Sequence, residues 1–524
     1  MSRAGAVALA LALSAVPSAS GAQRAPAGPP PDLDGYVRAI MAEYEVPGLA
    51  LAIVKDGKVV LARGYGVRTL GDAAPVNEST LFGIASNTKA FTATALGLLV
   101  EEGKIGWDQK VISVLPWFRL SDPFVTAELT IRDLLVHRSG LGLGAGDLLW
   151  WPPSTYDRKE IARRLQFIPL STSFRSAYAY DNVLYLVAGE VIEAVSGTSW
   201  EEFVERRILA RVGMTGSSVR HSAAAAGGNV ATTHARVDGK VQVIKPFDSD
   251  NTNPAGGINS SAADMARWMI VQLDSGRIAP GDTLFRPSTT RQLWAMVTPM
   301  GIGRPAPELM PLMPNFNGYA LGFNVRDYRG RKLVTHTGGL PGYISRVALV
   351  PELRLGVAVL TNMESNAMEP IYLRVLDHYM GVRYDWRAAW KAVVARMDAA
   401  NAASDSTSAA RRDSTQGPSL PLARYAGTYR DPWYGDVTVG EAGGKLEIRF
   451  VHSPSLAGDL IHWQYDTFLA RWHDRELRAD AFITFTLDPD GRVDRARMAP
   501  ASPTVDFSFD FQDLDLRPVP RGTE

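Results

Sequence analysis

The segment from Lys89 to Glu102 is apolar on nearly every side, with Phe91, Leu96, Leu98, Leu99 and Val100 spread around the helical wheel. A helix without a polar face must be enclosed by other elements, so this one is expected in the middle of the protein, ended by Gly103. The chain of 524 residues is also too long for one ordinary core. At least two folded units are expected, the larger with enough interior to bury a reaction site.

The elements around that helix come from both directions. Leu33 to Tyr44 has the spacing of an amphipathic helix, and Leu49 to Val54 with Val59 to Tyr65 reads as a hairpin turned at Asp56-Gly57. A mainly helical stretch runs to Leu273. It includes Ile131 to Val136, Val183 to Val195 closed by Gly197, and Ala262 to Leu273 capped by Ser261 and Asp264. Strand character returns at Tyr319 to Tyr328, Lys332 to His336, Ile344 to Val350 and Leu355 to Thr361, before a helix from Pro370 to Met380. Early and late strands therefore supply one sheet. The expected fold is α+β, an antiparallel sheet flanked by helices with a large inserted helical subdomain and a cleft between the two.

From Arg396 the chain becomes rich in Ala, Ser, Asp and Thr with no apolar period, which reads as a solvated linker over residues 396–420 with room for some helix. The main domain is then 32–395. Alternating runs at Asp436 to Val439, Lys445 to Phe450, Thr467 to Trp472 and Phe482 to Leu487 predict a small all-β barrel over 421–524.

The 55 basic and 55 acidic residues cancel, so nothing suggests a nucleic-acid partner or an anionic membrane surface. With no cysteine, disulfides, thiolate catalysis and lipoprotein anchoring are excluded. Arg3, the apolar run Ala4 to Val16 and the small residues ending at Ala22 have the layout of a secretory leader over residues 1–22. The run is shorter than the ~20 residues of a spanning helix. A periplasmic or secreted enzyme without a stable membrane span is the expectation.

Three short motifs carry chemistry. Ser86-Asn87-Thr88-Lys89 puts a hydroxyl and an amine three residues apart at the start of the buried helix, on one face of it. Serine needs a neighbouring base, and lysine serves as one only when desolvation and a helix N-terminus disfavour its ammonium. Taken alone, the pair reads equally as a helix cap and a surface lysine. Tyr180-Asp181-Asn182 before the helix at Val183 reads alone as a packed aromatic and an N-cap. His336-Thr337-Gly338-Gly339 ends a predicted strand, where a lone histidine is more often structural.

In that order, however, the three motifs resemble those of the serine β-lactamase and penicillin-binding-protein superfamily. Leu134 to Leu141, Pro254-Ala255-Gly256-Gly257 and His336 to Tyr343 are similar to the class C and D-alanyl-D-alanine carboxypeptidase branch. The resemblance covers Leu33 to Met380, and the final domain, through Tyr425 to Tyr429, resembles a lipocalin-like module. It implies Ser86 as nucleophile, with Lys89 and Tyr180 passing its proton to the leaving group. Asn182 would bond Lys89 and the substrate amide, and His336 would meet Tyr180 or a substrate carboxylate. Thr337, Gly338 and Gly339 would hold substrate along the strand, the Ser86 and Gly339 N–H groups forming the oxyanion hole.

His336 stands where class C β-lactamases have lysine, which favours peptidase and esterase members over a dedicated β-lactamase. The implied enzyme is an acyl-enzyme-forming hydrolase of peptides, amides or esters, D-amino-acid peptides slightly ahead, needing neither metal nor organic cofactor. The alternative is a penicillin-binding or peptidoglycan-sensing protein that acylates without efficient turnover. Assembly of copies through the C-terminal domain is a further expectation. Trp150-Trp151-Pro152-Pro153 either lines the cleft or packs a loop, His137 with Ser139 reads as a structural turn, and Trp463 and Trp472 read as barrel core.

Overall fold

The computed structural model describes residues 28–224 and 228–520, so the leader expected over residues 1–22 lies outside the described residues. The larger sheet contains β1 (Gly48–Lys55), β2 (Lys58–Gly66), β3 (Thr298–Pro299), β4 (Asn317–Tyr319), β5 (Asn324–Tyr328), β6 (Arg331–Leu340), β7 (Tyr343–Val350) and β8 (Leu355–Thr361). Their spatial order is β2-β1-β8-β7-β6-β5-β4-β3, every pairing antiparallel. Asp56 and Gly57 both take positive φ, as the β1–β2 turn requires.

Strand β1 is buried on both faces, and its side chains sort by size. Leu49, Leu51 and Ile53 join the cluster formed with α1 (Leu33–Glu43) and a late helix at Met368–Tyr379. Ala50, Ala52 and Val54 face the other cluster, which contains α2 (Lys89–Glu101), α3 (Val183–Ser196) and α4 (Ala262–Leu273). Every residue of α2 from Lys89 to Leu99 is buried, so the apolar helix is enclosed as its sequence demands. Ser261 caps α4 by accepting from the Asp264 N–H at 3.2 Å.

Four expectations are corrected. The run Tyr319 to Tyr328 is not one strand but β4 and β5 around a turn, where Ala320 N donates to Phe323 O at 2.7 Å. Gly322 sits there at φ +78, and a Cβ on it would lie 2.7 Å from the Lys89 carbonyl oxygen. Ile131 to Val136 is only a short 3-10 turn, Asp133–Leu135, wound round the buried Asp133 carboxylate, which accepts from Thr130, Arg138 and Arg175. The strand expected to stop at His336 continues to Leu340. The helix for which the 396–420 linker left room is not confined to that segment: α6 (Trp386–Ala410), which follows α5 (Met368–Tyr379), starts before it, buries Trp386, Ala389 and Val393, and runs on through alanine and polar residues without an apolar stripe.

The second sheet comprises β9 (Gly427–Asp431), β10 (Gly435–Ala442), β11 (Lys445–Phe450), β12 (Ala457–Gln464), β13 (Thr467–Trp472), β14 (Ala481–Leu487), β15 (Val493–Pro500) and β16 (Arg517–Pro518). The order is β15-β14-β13-β12-β11-β10-β9-β16, and a bridge between Ala496 and Leu516 nearly closes the barrel. Trp472 is in the barrel core, stacked on Phe511. Trp463 is not: it lies half-buried on the outside beneath the Arg412 guanidinium. The two domains share one apolar core. Tyr156 of the first stacks on His452 of the second at 4.1 Å and donates to the Tyr434 carbonyl.

Candidate active site

Ser86 occupies a 3-10 turn, Ala85–Thr88, that runs directly into α2. The turn is pinned from several sides. Asn87 Nδ2 donates to Ser345 Oγ, which donates to the Ile84 carbonyl, while Thr88 Oγ1 accepts from Ile258 N. Ala85 is held at φ +49, a conformation costing a non-glycine residue roughly 1–3 kcal/mol, so the strain sits one residue before the hydroxyl.

Two expected partners converge on that hydroxyl. Lys89 Nζ lies 3.0 Å from Ser86 Oγ, and the Tyr180 hydroxyl donates to the same oxygen at 2.8 Å. Lys89 also reaches Asn182 Oδ1 at 2.7 Å and the Ala255 carbonyl at 3.0 Å. The amine is wholly buried, and desolvation lowers its pKa to about 7, against the pull of the Asp147 and Asp181 carboxylates. A neutral amine has two N–H groups and one lone pair. Two carbonyl acceptors use the N–H groups, which leaves the lone pair for the Ser86 O–H. Burial drives the Tyr180 pKa far upward, so its phenol stays protonated and donates. Every polar atom of the trio then has a partner.

Asn182 is a connector rather than the cap its position suggested. It accepts from Lys89, and its Nδ2 donates to Asp147 Oδ2 at 2.8 Å. Asp147 had not been singled out as a candidate. It is wholly buried, raised to about 7 by desolvation, and accepts further from Trp150 Nε1 at 3.0 Å and from Ser508 Oγ at 2.9 Å. Ser508 belongs to the segment after β15. Asp510, from the same segment, accepts from Gly146 N at 2.7 Å and Leu148 N at 3.1 Å, on either side of Asp147. The line from the nucleophile thus ends in the second domain: Ser86, Lys89, Asn182, Asp147, Ser508.

The strand motif divides its labour. Beyond Thr335, β6 pairs only with β7, so His336 to Leu340 present a free edge toward the cleft. Gly338 does not face substrate: a Cβ there would lie 2.2 Å from the Ile84 carbonyl, so this glycine lets β6 press against the Ser86 turn. Gly339 is exposed and lines the cleft with Thr337 and His336. His336 does not bond Tyr180. Its Nε2 accepts from the Tyr319 hydroxyl at 2.7 Å and its Nδ1 donates to the Thr337 carbonyl at 2.5 Å. Burial, then the Lys89 charge, pushes it down to about 3, so it is neutral and offers a substrate carboxylate no cation.

His137 and Ser139 form no pair. His137 Nδ1 accepts from Asp181 N at 3.2 Å, and Ser139 Oγ accepts from Leu141 N at 3.2 Å, so both hold a turn. Trp150 and Trp151 line the cleft and also pack, Trp151 stacking on Phe247. The cleft has a volume of about 310 Å³, and Phe507 from the second domain closes one side, edge-on to Tyr180 at 6.2 Å. Gly144, at φ +69, makes room for it; a Cβ would lie 2.8 Å from the Phe507 ring. The run Thr504 to Asp510, which alternates polar residues with Val505, Phe507 and Phe509, carries no motif that points to the cleft.

Residues 33–378 match the family model described as Beta-lactamase. The chain belongs to the β-lactamase family. The family's fold and the Ser86 arrangement make it a serine hydrolase, as does the likeness to a curated hydrolase: unguisins hydrolase ungD of Aspergillus violaceofuscus (strain CBS 115571) is 30% identical over 444 residues, covering 79% of this chain and 77% of that one. Protein flp of Staphylococcus aureus (strain COL) is 25% identical over 355 residues, covering 66% of each chain. In structure, this β-lactamase-family chain is similar to the octameric penicillin-binding protein homologue from Pyrococcus abyssi, with a TM-score of 0.60 at 22% identity over 89% of this chain and 97% of that one. Residues 411–518 match a domain of unknown function, DUF3471.

Proposed function

We propose that the enzyme hydrolyses amide and ester carbonyls through an acyl-enzyme at Ser86, peptide amides of D-amino acids slightly ahead of esters. The observation that carries the proposal is the buried Lys89 amine, set 3.0 Å from the Ser86 oxygen with its two other neighbours both acceptors. Ser86 attacks the carbonyl carbon as its proton moves to the Lys89 lone pair. The carbonyl oxygen becomes the oxyanion, met by the Ser86 and Gly339 N–H groups, each such donor being worth about two to three powers of ten. Tyr180 gives its phenolic proton to the leaving nitrogen or oxygen and regains the proton that Lys89 took from Ser86. A water then attacks the acyl carbonyl, losing its proton along the same path, and Ser86 leaves as the hydroxyl.

Among the described residues, the cleft lining holds no lysine or arginine and one carboxylate, Asp506, and His336 is neutral. We therefore place groups without a carboxylate beside the scissile bond, which sets β-lactams and free-carboxylate peptides behind simple amides and esters. The deciding experiment follows release of p-nitrophenol from an ester and of p-nitroaniline from a D-amino-acid anilide, with Ser86→Ala as control. Turnover abolished in Ser86→Ala supports the hydrolase. A one-to-one penicillin adduct that persists while neither chromogenic compound turns over would instead establish the sensor. We also propose export, on the strength of residues 1–22; a mature N-terminus at Gln23 in secreted or periplasmic material tests it.

A further inference from the structure

A second cavity, about 880 Å³, adjoins the catalytic cleft between the two domains. The two volumes share Trp151, Gly339, Leu340 and Asp506, so one opens into the other along the free edge of β6. The apolar part of its wall comes from both domains: Phe247, Leu340, Ile344 and Met368 from the first, Leu477 and Phe509 from the second. Both cations of the lining are paired, and three further carboxylates, Asp248, Glu476 and Asp506, line it as well. Arg478 bonds Glu364 twice at 2.7 Å, and Lys245 bonds Asp474 at 2.9 Å. The Glu364 carboxylate also accepts from Gly342 N, which ties the second domain to the β6–β7 turn.

Resting on the hydrolase reading above, we infer that this inter-domain cavity is the acyl-side subsite, shaped for a bulky aromatic or branched apolar group that carries no negative charge. Its direction follows from the proton path. Tyr180, which faces the leaving group, lines the small cleft and not the cavity, whereas Gly339, at the carbonyl oxygen, lines both. A substrate whose carbonyl oxygen points at Gly339 and whose leaving group points at Tyr180 sends its acyl part along Leu340 into the cavity. Pockets of ~300–1,000 Å³ enclose drug-sized ligands, so this one holds far more than an acetyl group. Because both cations are already paired and Asp248, Glu476 and Asp506 add carboxylates, an anionic acyl group would lose hydration without gaining a partner there.

The test compares kcat/KM for p-nitrophenyl acetate and for the p-nitrophenyl esters of N-benzoyl-phenylalanine, both enantiomers, in the full-length enzyme. The wild type is expected to favour at least one bulky ester by thirty-fold or more. Met368→Trp and Leu477→Trp, one from each domain and each checked for folding by its melting curve, fill the cavity and are expected to cut that ratio at least ten-fold through KM. Should both fail to fold, N-benzoyl-phenylalaninol, which has the bulk without the ester, is expected to compete with p-nitrophenyl acetate in the wild type. A ratio near one in the wild type, a ratio unmoved by a folded variant, or no competition by the alcohol overturns the subsite while leaving the hydrolase intact. Turnover of neither ester by the wild type removes the hydrolase reading and the subsite together.

Discussion

The two walls of the cleft are built on different terms. One carries Ser86, Lys89, Tyr180 and Asn182 at the starts of α2 and α3, where pinned turns and enclosed helices fix each side chain within a hydrogen bond of the next. The other carries Phe507 and Ser508 on a segment outside the barrel strands, held by Asp510 on the Gly146 and Leu148 N–H groups. Preorganised chemistry belongs on rigid elements, since misplacement by about 1 Å costs about a hundred-fold in rate. A wall that chooses substrates tolerates more variation. Yet the walls are not independent, because Ser508 donates to the carboxylate that holds Asn182.

Variants that separate the walls should follow that order. Lys89→Met removes the base and is expected to lower kcat/KM about a thousand-fold. In the wild type kcat/KM should rise with pH through about 7, as the Lys89 ammonium loses its proton, and that limb should vanish in the variant. Tyr180→Phe keeps the packing and deletes the proton donor; a fall of about a hundred-fold, larger for anilides than for p-nitrophenyl esters, is expected because p-nitrophenolate leaves without protonation.

Asp147→Asn sharpens the link between the walls. The Asp147 charge favours the Lys89 ammonium, so removing it lowers the lysine pKa, and the acidic limb should move to lower pH. The accompanying loss at the pH optimum is expected to be about ten-fold, from a less firmly held Asn182. Ser508→Ala should give the smallest effect, a few-fold in rate. Its hydroxyl helps keep Asp147 ionised, so its loss moves the limb the same way by less. If a pH-rate profile of Ser508→Ala overlays the wild type, the second domain contributes bulk to the cleft and nothing to its electrostatics.

Much of the first wall was readable in the chain. The Asp56-Gly57 turn, the all-apolar α2 and the spacing of Ser86 and Lys89 are local properties, expressed within a few residues of where they are written. The misreadings came where local pattern was silent. Gly322 inside an alternating run hid a turn that exists because the backbone must clear Lys89, and Gly338 looked like a substrate contact until its neighbour proved to be the Ile84 carbonyl. The extent of α6 was not legible because, beyond Val393, apolar periodicity is blind to a helix that rides mostly in solvent. Ser508 and Asp147 are 361 positions apart, and neither stands in a motif.

By itself, then, the chain marked the spacing of Ser86 and Lys89 and most of the helices and strands, because residue type, short-range spacing and turn preference are properties of a few consecutive residues. Tertiary structure alone decided the protonation of Lys89 and His336 and the size of the space beside Gly339. Those depend on how much water is excluded and which distant dipoles and carboxylates arrive in its place. Desolvation and close packing are set by neighbours in space, and the folded core of both domains supplies them.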